Sequence, residues 1–128
     1  MEKITSKNNQ FIKDTKKLFT SRKYRIERHQ FVLEGARLCF DVLNSFYFIN
    51  YILLTEKCYN KYETQSKQLI EKAGKAFFIT DELAQKIAQT ENTQGIFAVC
   101  TFEAKTKKIY YSKKYIALEN LQDPSNLG

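Results

Sequence analysis

The order of hydrophobic patterns predicts an α/β fold, a sheet with helices on both faces. Helix-period and strand-type apolar runs alternate along the chain: a helix, then strand and helix three times, then a strand. The strand runs are short and apolar on both sides, as expected for a sheet covered on two faces. Apolar residues make up 43% of the 128 and aromatic residues 14%, enough to fill such a core and to exclude wholesale disorder.

Phe11, Ile12, Thr15, Leu18 and Phe19 repeat with the period of one helix face, and Ser6 or Asn8 is placed to cap its start. Lys13, Lys16 and Lys17 fall on the opposite side, so this helix can dock on a core and present ammonium groups outward. Next comes SRKYRIERHQ, in which Arg22, Lys23, Arg25 and Arg28 surround Tyr24, a composition suited to phosphate contacts and one stacked base. Residues 30–34 (QFVLE) read as a short buried strand closed by Gly35. A helix follows with Cys39, Val42, Leu43 and Phe46 on its inner stripe and Arg37 and Asp41 pointing away.

Residues 51–55 (YILLT) form the second predicted strand. Residues 60–73 form one polar helix with Tyr62, Leu69, Ile70 and Ala73 inside and Gly74 as its C-terminal cap. Residues 75–79 (KAFFI) are the third strand, and Thr80 or Asp81 caps a short helix with Leu83, Ala84, Ile87 and Ala88 on one stripe. The ENTQG turn then leads to a fourth strand over 96–102 (IFAVCTF). These elements define a first domain over 1–102. Residues 103–114 (EAKTKKIYYSKK) break the pattern and read as an exposed basic linker. Residues 115–128 (YIALENLQDPSNLG) read as a strand and loop that open a second domain, cut just after it begins.

Charge is segregated. The net charge is +7, but residues 1–30 carry nine Lys/Arg against three acids and residues 103–114 carry five lysines against one acid. The rest carries seven against ten, so the excess sits in two segments around an acidic middle. Concentrated cations are the footprint of a polyanionic partner, most simply nucleic acid. The plain alternative is a solvated helix face and a charged linker.

Several function classes are disfavoured. No apolar stretch approaches a membrane span, and the start lacks a signal-type hydrophobic region, which predicts no membrane partner and a cytoplasmic protein. Cys39, Cys58 and Cys100 are odd in number and widely spaced, so neither a full disulfide framework nor a CxxC zinc site is expected; Cys39 and Cys100 read as small buried hydrophobes. His29 has no metal-ligating neighbours and reads as a surface or turn residue. Four glycines cannot make a GxGxxG fingerprint or a P-loop. No nucleophile–histidine–acid set or paired-carboxylate motif is present. Glu34, between a strand and a helix start, is the carboxylate to watch: accepting backbone N–H bonds is its expected role, with contact to RNA as the alternative.

The series ITSKNN, Arg22-Lys23-Tyr24-Arg25, FVLEG, TQGIFAV and LENLQDPSNLG resembles the TrmH/SpoU (SPOUT) group of RNA ribose methyltransferases over essentially the whole chain. The first four stretches resemble the group's substrate-binding domain, and QDPSNLG resembles the opening motif of its catalytic domain. The resemblance implies a three-layer α/β/α sandwich of the kink-turn-binding ribosomal protein type, followed by the stub of a SPOUT knot domain. It implies a structured RNA partner, ribosomal or transfer RNA. For the whole protein it implies S-adenosylmethionine as cofactor, transfer of a methyl group to a ribose 2′-hydroxyl, and a homodimer formed through the catalytic domain. Asn126 and Gly128 match that domain's first motif, with Ser125 where the group usually has glycine. The motifs that complete the knot and the methyl-donor pocket are not among these residues, so the chain itself is expected neither to bind the cofactor nor to catalyse.

For RNA contact the expected phosphate clamp is Arg22, Lys23, Arg25 and Arg28, joined by Lys7, Asn8, Lys13 and Lys16. The Glu34-Gly35 turn with Arg37, and the turn carrying Thr93, Gln94 and Gly95, are expected at loop ends where ligands gather. Gly35 at a helix start would leave backbone N–H groups open to an anion. Two other functions fit the same residues: a stand-alone structured-RNA-binding module, and a non-RNA scaffold or dimerisation domain.

Overall fold

The computed structural model describes residues 1–101. Five strands form one sheet: β1 (Lys3–Ile4), β2 (Gln30–Glu34), β3 (Phe48–Leu54), β4 (Ala76–Ile79) and β5 (Ile96–Thr101), in the order β1-β4-β3-β5-β2. β5 lies antiparallel between β3 and β2, while β1, β4 and β3 pair in parallel. The first four strands therefore all run one way. The segments that follow them gather at one end of the sheet, together with the approach to β5.

Six helices cover the two faces: α1 (Gln10–Thr20), α2 (Arg22–Arg28), α3 (Ala36–Asp41), α4 (Glu56–Lys61), α5 (Glu63–Lys72) and α6 (Asp81–Ile87). One core, including Ile12, Leu18, Val32, Tyr51, Leu53, Leu83, Ile87, Phe97 and Val99, packs α1 and α6 on the sheet. The other, including Leu33, Cys39, Ile49, Ile52, Leu54, Cys58, Leu69 and Cys100, packs α3, α4 and α5 on the opposite face. Ile96 to Cys100 alternate between the two cores and are wholly buried, so β5 is the apolar spine that the IFAVC run predicts. This is the expected α/β/α sandwich.

Several local expectations are corrected. Asn9, rather than Ser6 or Asn8, caps α1: its side-chain oxygen accepts the Phe11 N–H at 2.8 Å. Residues 22–28 form a helix of their own, capped by Ser21 and closed by the exposed His29 in the left-handed region. The helix after Gly35 is short. It tightens into a 3-10 turn over Val42–Asn44, where the Ser45 hydroxyl donates to the Val42 carbonyl. Tyr47 then fills the inner position against Phe31, ring centroids 5.0 Å apart, and leaves Phe46 at 96% exposure rather than on the stripe.

The single helix expected over 60–73 is two. Thr55 caps α4 through the Cys58 N–H, and Tyr62, with φ −124° and ψ 52°, breaks the run so that its ring packs edge-on to Phe40. α5 ends on Ala73 in extended backbone, and Gly74 is not a left-handed cap; among the described glycines only Gly35 and Gly95 have positive φ. β1 was not predicted, because two residues carry no local period and only the pairing with Phe78 and Ile79 makes them a strand. Cys39, Cys58 and Cys100 are buried and unpaired. Phe102, the linker over 103–114, the segment 115–128 and the motif residues Ser125, Asn126 and Gly128 lie outside the described residues.

Candidate nucleic-acid interface

The chain reaches α1 from the loop after β1, at the end of the sheet where the first four strands finish. Eleven helical residues then carry it back across the face, a rise of about 16 Å. Ile12, Thr15 and Leu18 anchor the inner side of α1, and the buried Thr15 hydroxyl lies 2.8 Å from the Tyr51 hydroxyl. Burial raises the Tyr51 pKa well above its usual value, so this pair stays neutral. With the inner side fixed, Lys13, Lys16 and Lys17 are exposed on the outer side, as the periodicity predicts.

α6 packs beside α1, its start capped by the Thr80 hydroxyl and its Leu83, Ala84 and Ile87 buried. Between the two helices runs an open groove of about 500 Å³, lined by Lys7, Asn8, Lys13, Lys16, Lys17, Thr20 and Lys86 over Ile12 and Ile87. The structure thus brings together four predicted contacts, Lys7, Asn8, Lys13 and Lys16, and adds Lys17 and Lys86. Lys86 was not expected, since it stands alone in the sequence behind Asp81 and Glu82, and only the docking of α6 on α1 delivers it. No lining group is an acid. The nearest acid on α1, Asp14, accepts from Gln10 Nε2 at 2.7 Å and from the Tyr24 hydroxyl at 3.2 Å.

α2 corrects the expected clamp. Arg25 is 8% exposed, and its Nη1 donates to the Leu18 carbonyl at 2.6 Å and the Phe19 carbonyl at 3.1 Å. It satisfies carbonyls left open by the last turn of α1 and is not disposed toward a phosphate. The Tyr24 ring is not a free stacking platform either: Lys17 Nζ lies 4.5 Å from its centroid and the Arg28 guanidinium 5.1 Å. Arg28 Nε also donates to Gln30 Oε1 at 3.0 Å. Arg22, Lys23 and Arg28 remain exposed on α2 at the far end of α1 from Lys7.

At the other end of the sheet the two predicted turns meet, but their polar groups bond to each other. Gln94 Oε1 accepts the Ala36 N–H at 2.8 Å and caps α3, so the anion site expected at Gly35 is closed. Glu34 takes its structural role at an unexpected place: its carboxylate accepts the Gln89 N–H at 3.0 Å and the Thr90 hydroxyl at 2.7 Å, just past α6. Thr93 Oγ1 accepts the Gly95 N–H at 3.1 Å. Gly95 has φ +76°, and a Cβ there would meet Thr55 Oγ1 at 2.8 Å, so glycine is required both by backbone and by space. Arg37 is exposed on α3, on the opposite face of the sheet from the groove. Among the described residues no three His, Cys, Asp or Glu side chains cluster as a metal site, and no helix is long and apolar enough to cross a membrane.

Comparison with known proteins is consistent with this geometry. The MRM3-like substrate binding domain family matches residues 9–98. Along all of its 128 residues the chain is 31% identical to the 23S rRNA (guanosine(2553)-2′-O)-methyltransferase RlmP of Bacillus subtilis, covering 48% of that protein. It is 28% identical over 126 residues, 98% of its length, to the uncharacterized tRNA/rRNA methyltransferase slr1673 of Synechocystis sp., covering 46% of it. The chain thus spans about half the length of the curated relatives it matches. Its fold matches an rRNA methyltransferase from Sinorhizobium meliloti with a TM-score of 0.65 at 20% identity, over 80% of this chain and 37% of that one. It also matches the SpoU methyltransferase AviRb from Streptomyces viridochromogenes in complex with AdoMet, with a TM-score of 0.57 at 13% identity, over 76% and 37%. The chain belongs to the MRM3-like substrate binding domain family.

Proposed function

We propose that this chain is the RNA-recognition domain of an S-adenosylmethionine-dependent ribose 2′-O-methyltransferase acting on ribosomal or transfer RNA. The observation that carries the reading is the lysine-lined groove along α1 and α6, in a domain whose family binds methyltransferase substrates. The groove residues Lys7, Asn8, Lys13, Lys16, Lys17 and Lys86 take phosphates, and the exposed Arg22 and Lys23 extend the basic surface toward the other end of the sheet. Residues 1–102 are the recognition domain, 103–114 a linker, and 115–128 the opening of the catalytic domain, where Asn126 and Gly128 belong.

The groove does not fit the methyl donor. S-adenosylmethionine carries a sulfonium cation, and the groove offers it ammonium groups. The cofactor and the chemistry are assigned to the rest of the protein, which on this reading is a homodimer through its catalytic domain.

Salt-dependent binding to structured RNA tests the proposal. Affinity is expected to fall steeply between 50 and 200 mM salt, with a log–log slope of about 0.7 to 0.9 per phosphate neutralised. Absence of binding at low salt, with the chain self-associating instead, would overturn it in favour of a scaffold or dimerisation domain.

A further inference from the structure

Resting on that reading, we infer that the α1–α6 groove takes the sugar-phosphate backbone of helical RNA and reads its shape, leaving base identity to other parts of the protein. Three observations converge. The groove's charged groups are all ammoniums, compact point charges suited to phosphate rather than the rigid planar fork of arginine. Its apolar floor, Ile12 and Ile87, is 3% and 0% exposed, so it sits deep and offers no protruding surface to a splayed base.

The third observation concerns the aromatic rings of this layer, each of which is already engaged by a neighbouring ring or cation. Phe11 packs on Tyr51 and Phe77 at 4.9 and 4.6 Å between centroids, Phe19 packs on Phe97, and Tyr24 is held by Lys17 and Arg28. Recognition of single-stranded RNA rests on unstacked bases laid on exposed aromatic or guanidinium planes, whereas double helices are recognised by shape through backbone contacts. On α1, Lys13 and Lys16 stand one helical turn apart, about 4.5 Å along the axis, which suits successive phosphates of one strand. Lys86 reaches the same groove from the second helix.

The test titrates the 128-residue chain with an RNA hairpin, with a second hairpin of permuted stem sequence, and with an unstructured single strand of the same length. Both hairpins are expected to bind equally, and at least tenfold more tightly than the single strand. The combined variant Lys13→Ala, Lys16→Ala, Lys86→Ala should lower the salt slope for both hairpins by about three, near one per lysine, with the thermal melt unmoved. A single strand bound as tightly as a hairpin would overturn the inference. So would a variant that retains the wild-type slope while wild type binds RNA, and in that case the broader RNA reading survives. Wild type that binds no RNA but binds anionic phosphatidylserine vesicles would sink both and point to a membrane surface.

Discussion

The layer formed by α1, α2 and α6 carries eight lysines and arginines against four acids, whereas the layer of α3, α4 and α5 carries five against four. The cores beneath them are nearly equal, with twelve and thirteen buried residues. Packing therefore does not require the charge difference, and self-repulsion on the basic layer works against compactness. A surface that accumulates cations at that cost is shaped by what it meets. The balanced layer shows the ordinary case, such as the solvent-exposed Lys67–Glu63 pair one turn apart at 2.9 Å. The layers differ inside as well: all three cysteines lie in the core of the balanced layer.

That inner difference gives the largest expected effect. Burial raises the thiol of Cys58 to about 11 and that of Cys100 to about 12, and pushes Cys39 well up. Unfolded cysteines ionise near 8.5. The folded state holds these protons longer than the unfolded state, so the stabilisation is complete below the unfolded value and is lost as pH rises through the folded ones. Raising the pH from 7.5 to 10 should cost roughly 4 kcal/mol of stability for Cys58 and Cys100 together, with Cys39 adding in the same direction, read by urea unfolding at the two pH values. A loss under about 1 kcal/mol would mean that the thiols reach water and that the two cores do not differ as described.

Within the basic layer, Arg25 and Lys23 lie on one short helix but in opposite environments. Arg25→Ala removes the donor for the Leu18 and Phe19 carbonyls and is expected to destabilise by about 2 kcal/mol. The exposed Lys23→Ala should stay within about 0.5 kcal/mol in the same denaturant titration. For protein kept folded, only Lys23→Ala should reduce the salt slope of RNA binding. An Arg25 variant with wild-type stability and weakened RNA binding would return that residue to the clamp.

This contrast marks how far the sequence could be read. The strand over 30–34 was legible to the residue, because Gly35 closes a segment centred on the apolar triplet Phe31-Val32-Leu33. The α6 stripe and the Thr80 cap were legible for the same kind of reason, a strong local period with a local stop. Tyr62 was not, since its break is driven by the contact with Phe40, more than twenty positions away. On the interface, outward lysines on α1 followed from the helical period, whereas Arg25 looked like its three cationic neighbours until its carbonyl partners fixed its direction. Gln94 and Glu34 were found as residues at a turn, but their partners across the turn consume the atoms that would have met a ligand. A single sequence shows which groups are polar; whether they are already satisfied is a property of the assembled end of the sheet.

The sharpest test of the two-layer contrast keeps net charge constant. Lys13→Glu with Lys16→Glu reverses two charges on the basic layer, and Lys57→Glu with Lys67→Glu reverses two on the balanced one, so both variants fall from +7 to +3. All four side chains are exposed, and circular dichroism with thermal melts checks that both variants keep the fold. If the layer decides, the first variant should lose at least tenfold in affinity for a hairpin RNA at 50 mM salt, about 1.4 kcal/mol, and the second less than twofold. Equal losses would mean that the RNA responds only to the overall field of a basic protein. The reason to expect inequality is distance: at 50 mM salt the screening length is about 14 Å, shorter than the path through a sheet and two helical layers. Charges on the balanced layer are screened from a strand lying in the groove, while Lys13 and Lys16 would touch it.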